Sequence, residues 1–300
     1  MVGTGQGEIE VEPGIRLHYS VRGQGPGALL VPNAVWLERP LAPLAAHRRL
    51  CAYDVRGRGL SSAVDDRSRL GVDFEVRDLE AVRGHLKLSP TAVLAHSHAT
   101  AAALLHALDH PGSVERLVLV HPYGPRRDPW HAEGTPSLGE MIRPPGAPRL
   151  GALRAGRVHR TDPREYAREW MRQYFLPLQV ARREHVDLVP LDPCDLPNEF
   201  PERWAADYLE RILPSLGDWD WRPRLRALAI PVLLVWGDAE GPAPAMVREW
   251  LDSLPSGRVL VVPDSGALPF WENPGAFFPA VEEFLSGPPH SAAKRPLPRS

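Results

Sequence analysis

A serine lies between a predicted buried strand and a predicted helix, in the run Val93-Leu-Ala-His-Ser-His-Ala99. A nucleophilic serine on a sharp strand-to-helix turn needs small residues two positions before and two positions after it, and Ala95 and Ala99 meet that need. We expect Ser97 to have a positive φ and an exposed hydroxyl. The backbone N–H of His98, at the start of the helix, would then be available to a substrate oxyanion. The alternative interpretation is a serine that only caps a helix.

Three histidines lie near this serine or at the end of a neighbouring predicted strand. His96 and His98 flank Ser97, and His121 follows the strand Leu117–Val120. A serine hydroxyl is a weak nucleophile unless a base takes its proton, so His98 is a candidate base, although adjacent residues on such a turn seldom meet with good geometry. We expect His96 to support the turn and His121 to contact substrate or to be structural. No set of His, Cys and Asp has zinc spacing, so we predict no metal and no cofactor.

The elements that position these residues are predicted from buried apolar runs that alternate with helical stripes. The predicted strands are Glu8–Val11, Arg16–Ser20, Ala28–Val31, Leu50–Val55, Ala92–Ala95, Leu117–Val120, Pro231–Trp236 and Arg258–Val262. Helices are predicted over 72–86, with Asp73 as a possible N-cap, and over 99–108. The pattern predicts an α/β protein with a mostly parallel central sheet of about eight strands, helices on both faces and an inserted helical segment. Ligands of such sheets bind at the carboxyl ends of the strands, where Ser97 falls.

The composition of the chain excludes several classes of protein. The 300 residues are 43% hydrophobic and carry a formal charge of −2, so nucleic acid is not an expected partner. Cys51 and Cys194 are too few for a disulfide scaffold. We recognise no signal peptide and no apolar stretch of membrane-spanning length, so we expect a cytoplasmic protein that does not bind membranes. Residues 287–300 are rich in Pro and basic residues, and we expect them to be disordered.

One longer motif resembles a known family. The run Asp54-Val-Arg-Gly-Arg-Gly-Leu-Ser61, together with the turn at Ser97, is similar to the α/β-hydrolase superfamily and most similar to its proline-iminopeptidase-like branch. The resemblance extends over residues 8–286. It implies an α/β-hydrolase core built from residues 1–124 and 226–286, with a helical lid over 125–225.

The resemblance also implies positions for an oxyanion hole and an acid. The loop after the third strand would supply a second oxyanion donor, which aligns with the N–H of Ala34. Asn33 stands where the family has glycine, and asparagine can adopt the left-handed conformation. The acid of the catalytic triad would be Glu240, three residues after Gly237, with Asp238 as the alternative.

The catalytic histidine implied by the resemblance is missing. The run Ser265–Pro274 has every landmark of the family segment, but Ala267 stands at the histidine position. No histidine occurs between His185 and His290, so the order serine, acid, histidine is not completed. Ala267 could be a substitution in an active hydrolase, or the chain could naturally lack hydrolytic activity. A third explanation is that another histidine, with His98 as the best candidate, acts as the base.

The predicted lid is basic and rich in aromatic residues. Between Arg126 and Arg183 there are twelve Arg, no Lys and six acidic residues. This pattern is typical of a solvated, salt-bridged surface, and an acidic carrier protein is the alternative interpretation. The candidate substrate-binding residues are Asn33, Trp36, His121, Trp170, Tyr174 and Trp204. The lid aromatics among them could instead form the interior of the lid.

These observations predict a serine hydrolase that cleaves an ester or amide bond of a small molecule or short peptide through an acyl-enzyme on Ser97. With Ala267 in the histidine position, hydrolysis in this chain should be severely impaired. The alternative is a naturally non-hydrolytic ligand-binding or biosynthetic protein that uses the same pocket. The sequence shows no clear equivalent of the paired acidic residues with which iminopeptidases hold a free amine.

Overall fold

The computed structural model describes residues 4–130, 148–239 and 241–287. They form one eight-stranded sheet with the order β1-β2-β4-β3-β5-β6-β7-β8. The strands are β1 (Gly5–Glu12), β2 (Ile15–Arg22), β3 (Ala28–Pro32), β4 (Arg49–Tyr53), β5 (Thr91–His96), β6 (Val114–Val120), β7 (Val232–Gly237) and β8 (Gly257–Val262). β1 and β2 form an antiparallel hairpin, β2 pairs antiparallel with β4, and all later neighbours are parallel. All eight predicted strands are confirmed.

Helices cover both faces of the sheet. The helices that belong to the sheet layers are α1 (Ala34–Leu41), α2 (Val72–His85), α3 (Ala99–Asp109), α10 (Pro244–Ser253), α11 (Pro269–Glu272) and α12 (Pro274–Ser286). The side chains of β3 alternate between the two layers, because successive residues of a strand point to opposite faces. Leu30 packs in one apolar cluster with α2 and α3, and Leu29 and Val31 pack in the other with α1 and α12.

A second set of helices is inserted between β6 and β7, and we call its described part, residues 148–225, the insertion. Its helices are α4 (Pro148–Ala155), α5 (Val158–Thr161), α6 (Pro163–Trp170), α7 (Pro201–Asp207), α8 (Leu213–Ser215) and α9 (Arg222–Leu225). A π-helical turn continues α6 over Met171–Phe175, and another links α7 to α8 over Tyr208–Ile212. The insertion has an apolar cluster of its own.

Residues with capping side chains mark the start of some helices in this chain but not of α2. Asp162 caps α6 by accepting the N–H of Glu165 at 3.0 Å, and Asn273 caps α12 through the N–H of Ala276 at 3.1 Å. The prediction that Asp73 caps α2 is wrong, because Gly71 holds the cap position and Asp73 lies inside the first turn. There a carboxylate acts through the helix dipole instead of through a capping hydrogen bond.

The motif Asp54–Ser61 forms the loop that follows β4 in the chain, and we call it the scaffold loop. The guanidinium of Arg56, which is 5% exposed, donates two hydrogen bonds to Asp78 on α2, at 2.7 and 2.6 Å. It also donates to Glu12 at 2.6 Å. Arginine can make planar, bidentate hydrogen bonds of this kind to a carboxylate, and lysine cannot. The loop is therefore fixed to α2 and β1 by a buried ion pair.

None of the helices in the three described ranges is both long enough and apolar enough to cross a bilayer. The predicted tail beyond Gly287 lies outside the described residues.

Candidate active site

Ser97 lies on a strained turn at the carboxyl end of β5. Its φ is +54°, a region that non-glycine residues seldom occupy, so the predicted positive φ is confirmed. The Ser97 N–H donates to the carbonyl oxygen of Val120 at 2.9 Å, and the N–H of Thr100 donates to the Ser97 carbonyl at 3.0 Å. Ala95 and Ala99 on either side are buried, and Ser97 itself is partly exposed. The turn therefore holds the Ser97 side chain at the edge of the sheet, within reach of solvent.

Position 267 lies directly beside this turn. His96 Nε2 donates to the carbonyl oxygen of Ala267 at 2.8 Å. Ala267 is 1% exposed, and its N–H donates to the carbonyl oxygen of Gln179 in the insertion at 2.7 Å. Glu272 accepts the N–H of the preceding residue, Gly266, at 2.8 Å. Ser97 and Ala267 are 170 residues apart in the sequence. The fold brings them near each other, because His96, the neighbour of Ser97, is hydrogen-bonded to Ala267.

The two predicted acids differ in what the structure describes. Glu240 lies outside the described residues. Asp238 is exposed, and its Oδ1 accepts the N–H of Ser265 at 3.3 Å. A Cβ on Gly237 would collide with the carbonyl oxygen of Ser265, so glycine is needed for this close approach. The loop after β7 therefore lies against the loop that carries Ala267, as an acid and a histidine of one triad would require.

The loop after β3 has the backbone shape that the oxyanion prediction requires. Asn33 has φ +66° and ψ +48°, so its predicted left-handed conformation is confirmed. Its carbonyl oxygen accepts the N–H groups of Trp36 and Leu37 and begins α1. Asp54 Oδ1 accepts the N–H of Val35 at 2.6 Å. This bond ties the loop that carries Ala34 to the scaffold loop Asp54–Ser61.

The histidines around Ser97 are uncharged at neutral pH. Desolvation lowers the pKa of His98 to about 3, helped by the positive charge of Arg58. It lowers the pKa values of His96 and His121 to about 4. The centroids of the His98 and Tyr208 rings lie 5.5 Å apart, and His121 Nδ1 is buried without a hydrogen bond to any residue that the structure describes. An imidazole with so low a pKa is a weak base, which disfavours His98 as a substitute for the missing histidine.

The low histidine pKa values predict how stability depends on pH. Each of the three is neutral in the folded chain down to about pH 4 or 3, whereas an unfolded histidine takes up its proton near 6.5. Stability should therefore fall as the pH drops below 6.5, by up to about 1.4 kcal/mol per pH unit for each histidine. Urea denaturation between pH 7 and 5 measures this slope. The variant His98→Gln should remove the contribution of one histidine from the change of unfolding free energy with pH. An unchanged slope would contradict the lowered pKa of His98.

The four aromatic residues predicted to bind substrate lie in or against the apolar cluster of the insertion. Trp170 is 2% exposed, and its ring lies 5.6 Å from that of Trp204 and 5.4 Å from that of Tyr174. Trp170 and Tyr174 are buried in the interior of the insertion, which was the alternative interpretation of the lid aromatics, and the partly buried Trp204 packs against them. Trp36 on α1 packs against the same cluster. A substrate-binding role for the three insertion residues remains a prediction.

One buried contact that the sequence did not reveal joins the insertion to the scaffold loop. Glu199 is 2% exposed and accepts two hydrogen bonds from Arg58, at 2.9 and 2.6 Å. It also accepts the N–H of Gly59 at 2.8 Å and Nε1 of Trp36 at 2.9 Å. Four donors compensate the desolvation of this carboxylate. Glu199 follows no motif, so spacing along the chain could not have identified it.

A group with metal-ligand side chains lies away from Ser97. Glu80 on α2 and His106 and His110 at the end of α3 place their ligand atoms within 4.8 Å of one another. Arg83 donates to both oxygens of Glu80, at 2.7 and 2.6 Å, and so holds the carboxylate that a cation would need. The arrangement is that of an ion-pair network between two helices.

Comparisons with known proteins agree with this architecture. Residues 25–274 match the family model described as alpha/beta hydrolase fold, and the chain belongs to that family. It is similar to a proline iminopeptidase of Lactobacillus helveticus, with 24% identity over 251 residues that span 79% of this chain and 80% of that protein. A pimeloyl-acyl-carrier-protein methyl ester esterase of Neisseria meningitidis is 29% identical over 209 residues, or 66% of this chain and 70% of that protein.

Among solved structures, the proline iminopeptidase of Mycobacterium smegmatis has a TM-score of 0.61 at 20% identity, covering 94% of this chain and 97% of that one. The resemblance to proline-iminopeptidase-like α/β-hydrolases is confirmed, at low identity.

Proposed function

We propose that the chain carries the acyl-transfer site of a serine hydrolase at Ser97, and that its hydrolysis of esters or amides is impaired because position 267 is alanine. The single observation that carries this proposal is the strained turn at Ser97, with Ala267 held against its neighbour His96 at 2.8 Å. Backbone strain at a partly exposed serine has a cost and persists where a site requires it. The N–H groups of Ala34 and His98 are the proposed donors to the oxyanion.

The proposed chemistry explains which step would be slow. Attack by Ser97 on a carbonyl carbon needs a base for the hydroxyl proton, and in a triad that base is the histidine. Without it, the oxyanion donors and substrate binding still operate, and enzymes that lose a triad member retain a residual rate above the uncatalysed reaction. We therefore expect slow acylation in this chain. Glu240 or Asp238 would orient a histidine placed at position 267.

A non-hydrolytic role for the same pocket is the second candidate. The observation that favours it is that both backbone groups of Ala267 are hydrogen-bonded. Its carbonyl oxygen accepts from His96, and its N–H donates to Gln179. The histidine position is thus occupied by a buried alanine in an ordered loop that closes against the insertion. Such a protein would bind a carbonyl ligand beside Ser97 and release it unchanged.

The arginines of the basic segment 126–183 bear on a possible carrier-protein partner. At least six of those between Arg126 and Arg183 already pair with carboxylates, among them Arg126 with Glu249 and Arg168 with Asp195. This pairing is typical of the salt-bridged surface, and we propose a small-molecule or short-peptide substrate. One relative is an esterase of a carrier-protein ester, so an acyl-carrier protein is retained as an alternative partner.

A reactive fluorophosphonate tests the proposal directly. We expect slow, saturable labelling of Ser97 in the unchanged chain and none in Ser97→Ala, with the labelled residue located by peptide mass spectrometry. Slow labelling fits a nucleophile that has the turn and the oxyanion donors but no base. Fast labelling, at the rate of an intact triad enzyme, would show that another group serves as the base. Complete absence of labelling over days would favour the non-hydrolytic candidate.

A further inference from the structure

A buried carboxylate joins the insertion to the loop that carries position 267. The side chain of Glu272, in α11, is 0% exposed. Its Oε2 accepts the N–H of Gly266 at 2.8 Å. Its Oε1 accepts the N–H of Ala181 at 2.6 Å and Nδ1–H of His185 at 2.8 Å, and both of these donors belong to the insertion. The three donors compensate the desolvation of the carboxylate, and its two oxygens are bonded to two different segments of the chain.

The same stretch of the insertion runs along the loop beside it. The N–H of Ala267 donates to the carbonyl oxygen of Gln179 at 2.7 Å, and Arg182 donates to Asp264 at 2.7 Å. The insertion stretch and the loop therefore pair in opposite chain directions. A Cβ on Gly266 would lie 2.5 Å from the Gln179 oxygen, so glycine is required for this close approach.

His185 extends the contact of Glu272 toward the surface. Because its Nδ1–H donates to Glu272, its Nε2 is left as an acceptor, and the guanidinium of Arg182 donates to it at 3.1 and 2.9 Å. The side chains become more exposed along this series, from 0% for Glu272 and 8% for His185 to 52% for Arg182 and 51% for Asp264. Exposed ion pairs contribute little to stability, so we expect the buried carboxylate to hold the two segments together.

We propose that Glu272 is a positioning residue that couples the insertion to position 267 and, through His96, to the turn at Ser97. The carbonyl oxygen of Ala267 accepts from His96 Nε2 at 2.8 Å, so a displacement of Ala267 acts on the residue that precedes the nucleophile. Opening of the insertion for a ligand would lift residues 179–185 from the loop, and Ala267 would lose its place beside His96. Closure of the insertion would then set the geometry of the site.

The consequence for turnover rests on the proposed function, whereas the coupling itself does not. A histidine restored at position 267 would act as a base only while the insertion is closed. The coupling exists in the unchanged chain and can be measured there without a substrate.

Amide hydrogen exchange in Glu272→Gln tests the coupling. Glutamine offers one acceptor oxygen in place of two, so the N–H of Gly266 or of Ala181 loses its bond. We expect the N–H of Ala267, which is bonded to Gln179 and not to Glu272, to exchange at least about 10-fold faster, because the two segments separate. NMR resolves the exchange of single amides. An Ala267 amide that exchanges as slowly as in the unchanged chain would overturn the inference.

The imidazole of His96 reports whether the coupling reaches the turn at Ser97. Its Nε2–H signal in ¹⁵N-labelled protein should shift in Glu272→Gln, because its acceptor, the carbonyl group of Ala267, is no longer held in place. A role of Glu272 that is confined to α11 would not move this signal. A His96 signal identical to that of the unchanged chain would contradict the coupling.

Asp264→Asn is the matched control. It removes the exposed end of the same series, and asparagine tolerates the φ of +53° at this position. The exchange rate of the Ala267 amide should change by less than about 2-fold. Equal effects of Asp264→Asn and Glu272→Gln would rule out a special role for the buried carboxylate. The amide of Leu119, in the centre of the sheet, reports global unfolding, and equal acceleration at Leu119 and Ala267 in Glu272→Gln would also rule it out.

Turnover distinguishes this inference from the proposed function. In the variant Ala267→His, adding Glu272→Gln should lower kcat by at least about 10-fold with little change in KM, since a misplaced base slows the chemical step more than binding. An unchanged kcat would refute the positioning role. If Ala267→His gains no activity while exchange at position 267 accelerates in Glu272→Gln, the coupling stands and the proposed function fails.

Discussion

The variant Ala267→His should hydrolyse p-nitrophenyl esters or prolyl amides faster than the unchanged chain by about 10²–10⁴-fold, the range that a positioned general base contributes. The backbone at position 267 already lies against the residue that precedes Ser97. Asp238, one of the two candidate acids, accepts a hydrogen bond from Ser265 in the same segment. An imidazole added at this position would therefore lie near the turn that carries Ser97 and near the loop that carries Asp238. The measurement is kcat/KM for each substrate class.

Matched variants show whether the gain comes from the imidazole. Ala267→Gln adds a polar side chain of comparable length without a base, and it should leave the rate near that of the unchanged chain. The double variant Ala267→His with Ser97→Ala should lose the gain entirely, because base and nucleophile act as one unit. Position 267 is 1% exposed, so the thermal unfolding of each variant should be recorded beside its rate. A folded Ala267→His variant that gains nothing on any substrate would favour the non-hydrolytic candidate.

The second large effect is expected on stability. Asp78→Asn should lower the free energy of unfolding by about 3 kcal/mol, because the buried guanidinium of Arg56 loses the carboxylate that accepts two of its hydrogen bonds and keeps only Glu12 as a charged partner. The side chains of Arg56 and Asp78 are each 3% exposed. Burial raises the pKa of Asp78, and the adjacent Arg56 opposes that rise. Urea denaturation at pH 7 measures the loss.

An exposed ion pair provides the control for this prediction. Glu8 pairs with Arg16 at 3.5 Å on the β1–β2 hairpin, with side chains 51% and 64% exposed. Glu8→Gln removes the same kind of charge, and it should change the free energy of unfolding by no more than about 0.5 kcal/mol. Equal losses in the two variants would show that the Arg56–Asp78 contact has no special role. A double replacement of Arg56 and Asp78 by apolar residues should cost less than Asp78→Asn alone, since no charge is then left unpaired.

The amino-acid sequence by itself determined the sheet and the turn at Ser97. The eight predicted strands are short, β-rich and bounded by turn residues. Near-continuous apolar runs among them, such as Ala28–Val31, are typical of strands buried on both faces. Ala95 and Ala99 mark the turn, because larger side chains would prevent its close packing. Asn33 could be assigned a left-handed conformation because asparagine is one of the few residues that tolerates it. All of these signals are local, so they can be detected in one chain.

Contacts between distant segments were decided only by the tertiary structure. Glu199 in the insertion accepts hydrogen bonds from Arg58, Gly59 and Trp36, which lie far from it in the sequence. No spacing along the chain predicts these contacts. The aromatic pattern of Trp170 and Tyr174 fits a pocket and an interior equally well, because both are apolar, and the packing of the insertion buries these two residues inside it. The ionisation of the histidines around Ser97 likewise depends on burial, which sequence alone does not measure. Local conformation is specified by neighbouring residues, whereas pairing, burial and charge arise when the folded chain brings distant residues together.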